Sequence, residues 1–225
     1  MSVHPPLALD IDGTMTRPDE SIDPRFFDIL PAWEAPVLLA TGKAFPYPIA
    51  LCHFMRIPKR VVAENGGVIC VDGTIEVSPS AGRIGEFSDA LLAAGIDPGW
   101  GEEDLVNRWR ETELAVDRSI PRAELQSLAD SFSLEVIDSG YAYHVKDPSF
   151  TKGAGIERAS ELIGFSLEDT LAIGDSENDV STFDRVGSSV ALANADEAAK
   201  RAADTVLDRP FSDGTIDVLD QYHSV

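Results

Sequence analysis

Positive charge is scarce in this chain. Lysine and arginine supply 18 of its 225 residues against 39 aspartates and glutamates, a formal net charge of −21. A field of that sign repels the nucleic-acid backbone and excludes nucleic acid as a partner. The acids are spread along the chain rather than gathered in a tail. A surplus of this size points to a cytoplasm of very high salt, where screening removes the self-repulsion. Cysteine is almost missing. Cys52 and Cys70 have no metal-type spacing, which predicts buried thiols in a reducing cytoplasm and excludes a disulfide framework. No apolar run approaches the roughly 18 residues of a membrane span. The opening MSVHPPLALD lacks a basic region and a long apolar core, so no secretory leader is predicted. Internal repeats and low-complexity tracts are absent as well.

Apolar residues make up 44% of the chain, enough for a core, and the length suits one domain, or one domain with a small insert. Strand-then-helix texture occupies residues 7–77: apolar runs at 7–11, 37–40 and 60–63, with a helix opening at Asp23-Pro24 and stopping at Pro31, and a second over 47–55. Asp72-Gly73 between two short apolar runs is a hairpin signal. The small-residue stretch SPSAGRIGE then reads as a flexible linker. Residues 83–150 differ: helices are predicted near 84–94, 102–110 and after Ser119-Pro121, with strands at 113–117, 134–137 and 141–145, forming a small antiparallel sheet with helices on one face. From Lys152 the first texture returns, with strands at 171–173, 189–191 and 205–207 and helices at 154–163, 195–203 and 215–222. The prediction is an α/β fold: a doubly wound parallel sheet formed by residues 1–81 and 151–225, with residues 82–150 inserted as a small α+β cap.

Four stretches carry candidate chemistry. In LALDIDGT a buried strand runs into Asp10 and Asp12, delivering two carboxylates to the edge where open α/β sheets bind ligands. Such a pair suits Mg²⁺ or a nucleophile acting on phosphorus, and the same residues also make an ordinary Asp-Gly turn. Thr41-Gly42-Lys43 follows the second apolar run, where a hydroxyl and backbone N–H groups hold a phosphate or simply cap a helix. Lys152, at the return from the insert, is either a charge partner for Asp10 or a solvated lysine. In GDSEND, Asp175 leaves a strand and Asp179 follows on the next helical turn; acids at a helix start are also favoured by the dipole alone. No G-x-G-x-x-G follows the first strand, which excludes a nicotinamide-binding Rossmann enzyme.

DIDGT, Thr41-Gly42, Lys152 and GDSEND stand in the order typical of the haloacid dehalogenase superfamily, and the chain resembles its phosphatase branch with an α/β cap between the second and third motifs. Glu64-Asn65-Gly66-Gly67 adds to the likeness. The resemblance implies Asp10 as nucleophile, Asp12 as general acid and then base, and Thr41, Gly42, Lys43 and Lys152 as substrate ligands. It implies Mg²⁺ held by Asp10, the Asp12 backbone carbonyl and Asp175, with Asp179 bound directly or through water. Lys43 stands where this group often has Arg, so a point charge replaces a fork there. Asp12 separates the chain from dehalogenases and ion-pump ATPases, which have no leaving-group acid at that place. The compact cap and small acidic chain fit archaeal members acting on 2-phosphoglycolate. A sugar phosphate such as sucrose phosphate is the alternative substrate, and a non-catalytic phosphate- or metal-binding protein the alternative class. The implied partner is a small phosphorylated metabolite bound by a cytoplasmic monomer or homodimer. Arg118, His144 and Lys146 are the cap cations that could meet a carboxylate, with a solvated surface position expected for His144. Hinges for the cap are predicted near Gly82 and Ser149.

Overall fold

A computed structural model describes residues 4–223; Met1 to Val3, on which part of the leader reading rests, lie outside them. In chain order the elements are β1 (Leu7–Leu9), α1 (Phe26–Ala32), β2 (Val37–Ala40), α2 (Pro46–Met55), β3 (Arg60–Ala63), β4 (Val68–Val71), β5 (Thr74–Val77) and α3 (Ala81–Ala93). Then come β6 (Glu113–Val116), α4 (Arg122–Ser131), β7 (Glu135–Asp138), β8 (Tyr143–Lys146), α5 (Lys152–Ile163), β9 (Leu171–Gly174) and α6 (Val180–Phe183). The chain closes with β10 (Ser188–Ala191), α7 (Glu197–Ala202), β11 (Thr205–Val206) and α8 (Phe211–His223).

One sheet has the order β11-β10-β9-β1-β2-β3-β4-β5. The strands from β11 to β3 are parallel, and β4 and β5 add an antiparallel hairpin edge. Its central strands are apolar on both faces, as strands covered on both sides must be. Leu7, Leu9, Leu39 and Ile173 pack with α1, α2 and α8 through Phe26, Leu30, Met55 and Leu219. The alternate residues Ala8, Leu38, Ala40 and Ala172 pack with α5, α6 and α7 through Ile156, Phe183 and Ala199. The sheet is therefore doubly wound. Both cysteines are buried and free, and burial pushes the Cys52 thiol up to about 11.

Between β5 and α5 lies a second sheet, β6-β8-β7, fully antiparallel. Leu114, Val116, Val136 and Val145 on one face pack with Ile84, Phe87 and Leu91 of α3 and Leu125 and Ala129 of α4. Strand alternation turns the other face, with Glu113, Ala115 and His144, toward the larger sheet.

Some local expectations fail for identifiable reasons. Residues 102–110 form turns instead of a helix: the Asn107 side chain bonds both the N–H and the carbonyl of Ala115, and Asp104 accepts the Asn107 N–H. Side-chain bonds to backbone compete there with the helical ladder. The flexible linker shrinks to residues 78–80, because α3 starts at Ala81 and buries Ile84, Phe87 and Leu91. Gly82 is thus helical. Helix α1 includes Pro31 and ends at Ala32. The helix proper opens after Arg25, whose N–H Asp23 Oδ1 accepts at 3.0 Å; Asp23 is buried under Arg17, Arg25 and Ser212.

Candidate active site

Three parallel strands bring their carboxyl ends together. β1 pairs in register with both β2 and β9, so the residues just past Leu9, Ala40 and Ile173 emerge side by side. They are Asp10, Thr41 and, one residue beyond Gly174, Asp175. Asp10 is buried, and its N–H donates to Ile173 O at 3.1 Å.

Lys152, the first residue of α5, reaches the same point. Its Nζ donates to Asp10 Oδ1 at 2.8 Å and to Asp179 Oδ1 at 2.7 Å. Thr151 caps this helix by accepting the Ala154 N–H, which fixes where the lysine starts. The other oxygen of Asp179 accepts the N–H groups of Asp175 and Ser176 at 3.0 and 3.1 Å. Both Asp179 oxygens are thereby engaged, one holding the lysine and one holding the loop of Asp175. Burial alone would disfavour the Lys152 ammonium; Asp10 and Asp179 beside it more than offset that and raise its pKa.

Asp175 is held by Thr14 Oγ1 at 3.1 Å and Asn194 Nδ2 at 3.1 Å; Asn194 Nδ2 also donates to Gly13 O. Gly13 has φ +74°, and a Cβ there would collide with the Asp175 carboxylate. Both reasons require glycine. Carboxylate oxygens of Asp10, Asp175 and Asp179 lie within 4.8 Å of one another. Burial, then repulsion from neighbouring aspartates, pushes Asp175 up to about 9. Burial also pushes Asp10 up to about 7 against the pull of Lys152. A hard divalent cation would remove that cost, so this donor set fits Mg²⁺.

Asp12 and Lys43 stand apart from the buried cluster. Asp12 is half-exposed and pairs with Lys43 Nζ at 3.1 Å. That ammonium lies 5.8 Å from the Tyr47 ring centroid and 5.6 Å from that of Tyr141 in the insert. Thr41 is buried, and its Oγ1 accepts the Lys43 N–H. Gly42 O accepts from Arg110 Nη1 at 2.7 Å.

The sequence reading missed several residues at this edge. Asn194 stands just past an apolar strand, the same placement that marked Asp10 and Thr41, and that was its available signal. Glu113 and Arg110, from the insert, had no local signal. Asn65 lies in the expected ENGG turn at φ +53° and joins Glu113 to Asn178. His144 is not on the surface: it is buried against Glu113 and Ser139. Lys146 is also buried, turned to Glu135 and the carbonyls of Asp147 and Phe150. Arg118 pairs with Asp138 at the exposed rim.

Residues 119–219 match the family of haloacid dehalogenase-like hydrolases. The chain is 50% identical over 218 residues to a phosphoglycolate phosphatase of Natronomonas pharaonis, covering 96% of each chain. It is 51% identical over 217 residues to that of Halorubrum lacusprofundi, again 96% of each. Among solved structures, a Thermoplasma acidophilum protein superposes with a TM-score of 0.84 at 24% identity, covering 98% of both chains.

Proposed function

Because this chain belongs to the haloacid dehalogenase-like hydrolases and is a phosphatase, we propose that it hydrolyses 2-phosphoglycolate to glycolate and phosphate, using Mg²⁺ and an aspartyl-phosphate on Asp10. The observation that carries the reading is the contact of Lys152 with Asp10 inside a ring of carboxylates. The names of the relatives and the compact insert support the choice of substrate.

Asp10, Asp175 and the Asp12 carbonyl would hold Mg²⁺, which neutralises carboxylate and phosphoryl charge when bound. Asp179 would join them directly or through water, and it fixes Lys152 and the Asp175 loop. Lys152 lowers the cost of ionising Asp10 and meets the phosphoryl oxygens, with the Thr41 hydroxyl on another. The Asp10 carboxylate attacks phosphorus, the bond from phosphorus to the ester oxygen breaks, and Asp12 gives its proton to that oxygen. Water then attacks the aspartyl-phosphate, Asp12 takes its proton, and phosphate leaves. Asp12 suits this exchange because it faces the open side of the site beside Lys43. The catalytic core is residues 1–81 and 151–225, and the insert covers it as a cap whose hinges are residues 78–80 and 147–151.

Phosphate release from 2-phosphoglycolate and a panel of sugar phosphates, with Mg²⁺ in molar KCl, tests the reading. Asp10→Asn should lose at least about 10³ of kcat, since the nucleophile is gone. Preference for a sugar phosphate would move the substrate and leave the mechanism. A folded protein that releases phosphate from nothing would overturn both.

A further inference from the structure

Arg110, His144 and Glu113 are buried together on the inner face of the insert. Glu113 Oε1 accepts from His144 Nδ1 at 2.9 Å and from Arg110 Nη1, and its Oε2 accepts from Asn65 Nδ2 at 2.7 Å. Ser139 Oγ donates to Ala142 O and lies 3.0 Å from His144 Nε2. Both imidazole nitrogens are thereby engaged. Glu113 is fully buried, and the His144 and Arg110 side chains are 3% and 5% exposed. Burial alone would raise the pKa of Glu113; His144 and Arg110 more than offset that and hold it at about 2.

Arg110 and His144 both lean on the one carboxylate of Glu113. Glu64, the other acid nearby, is already committed to the Glu111 and Thr112 N–H groups and the Thr112 hydroxyl. Arg110 spends Nε on Val106 O and Nη1 on Gly42 O and Glu113. Its Nη2 has no hydrogen bond among the described residues. Arg110 touches the core one residue past Thr41, and Asn65 passes the contact to Asn178, beside Asp179. Arg83, Arg118 and Lys146 of the insert pair with Asp147, Asp138 and Glu135 instead.

We propose that Arg110, with His144 beside it, is the specificity-determining site for the substrate's carboxylate, bound while the phosphoryl group sits at Asp10 and Thr41. This rests on the phosphatase reading and its small-acid substrate. Glu113 is the positioning residue that gathers Arg110 and His144. Nη2 of Arg110 is the donor left over for the substrate's carboxylate, in a charge-assisted bond.

The test compares 2-phosphoglycolate with ethyl phosphate, which has a methyl group in place of the carboxylate, with Mg²⁺ in molar KCl. The readout is the ratio of kcat/KM between the two esters. The parent enzyme prefers 2-phosphoglycolate. Arg110→Gln lowers that ratio by roughly 10- to 100-fold, chiefly through KM, as loss of a charge-assisted pair predicts. His144→Gln lowers it less, and Arg110→Lys recovers part of it, because the charge stays while the guanidinium geometry is lost. Should Arg110→Gln not fold, as judged by circular dichroism, Arg110→Lys and His144→Gln carry the same comparison. An unchanged ratio, with both esters slowed in parallel, would reduce the cluster to a fastening between insert and core and overturn the proposal alone. A parent enzyme that hydrolyses both esters equally would overturn it together with the small-acid substrate, leaving the phosphatase intact.

Discussion

At the scale of single residues, charge crowding governs behaviour. Without a cation, Asp175 at about 9 and Asp10 at about 7 retain protons at neutral pH, and a hard cation binds the ionised forms. Mg²⁺ binding at pH 7 should therefore expel about one proton or more, and fewer at pH 10. Titration calorimetry in buffers of different ionisation enthalpy reads this directly; heats that do not depend on the buffer would contradict it. Gly13→Ala forces a Cβ onto Asp175 at a positive φ and should weaken Mg²⁺ binding at least about tenfold while costing about 1 kcal/mol or more of stability. Glu113 gives a second pH dependence. Its folded pKa, about 2, lies below its ordinary 4.5. Its contribution to stability is thus fully present above pH 4.5 and is lost as pH falls toward 2. Glu113→Gln should melt lower than the parent at pH 7, with the gap narrowing in acid. Asp10, Thr41, Lys152 and Asp175 were legible in sequence because each sits where an apolar run or a domain return ends, a local signal. Arg110, Glu113 and the buried state of His144 were not, because their partners lie far along the chain and only folding brings them together.

At the scale of elements, the ENGG turn joins the two sheets. Glu64 and Asn65 both have positive φ, an uncommon conformation for residues with a Cβ. Those angles send the Glu64 carboxylate to Glu111 and Thr112 and the Asn65 amide to Glu113. Glu64→Ala would leave two buried N–H groups unpaired and should destabilise the protein by about 2–4 kcal/mol, read by denaturant unfolding. The hairpin of β4 and β5 was readable residue by residue, since Asp72-Gly73 dictates its turn. Residues 102–110 depart from the expected helix because Asn107 and Asp104 bind backbone and hold turns. Helix α3 extends further than expected, because burial of Ile84, Phe87 and Leu91 outweighs the weak helix propensity of Gly82 and Gly85.

At the scale of the whole molecule, the dominant number is the net charge of −21. Many of its acids are exposed and unscreened at low ionic strength. The midpoint of thermal unfolding should rise steadily from about 0.1 M to molar KCl as screening grows; a flat response would remove salt adaptation as the reason for the surplus. Doubly wound topology was legible because strand and helix signals alternate on both sides of the insert, whereas strand order was not, since pairing is a long-range choice. The insert's two chain connections also run past the same spot. The Ser78 N–H donates to Gly67 O, and a Cβ on neighbouring Gly66 would strike Thr151 O. Entry and exit are therefore neighbours, and the larger sheet closes without the insert. Replacing residues 81–146 by a short turn should leave a folded, cap-less protein. The same seam would accept a foreign module in its place, so the reaction and the choice of substrate can be exchanged separately.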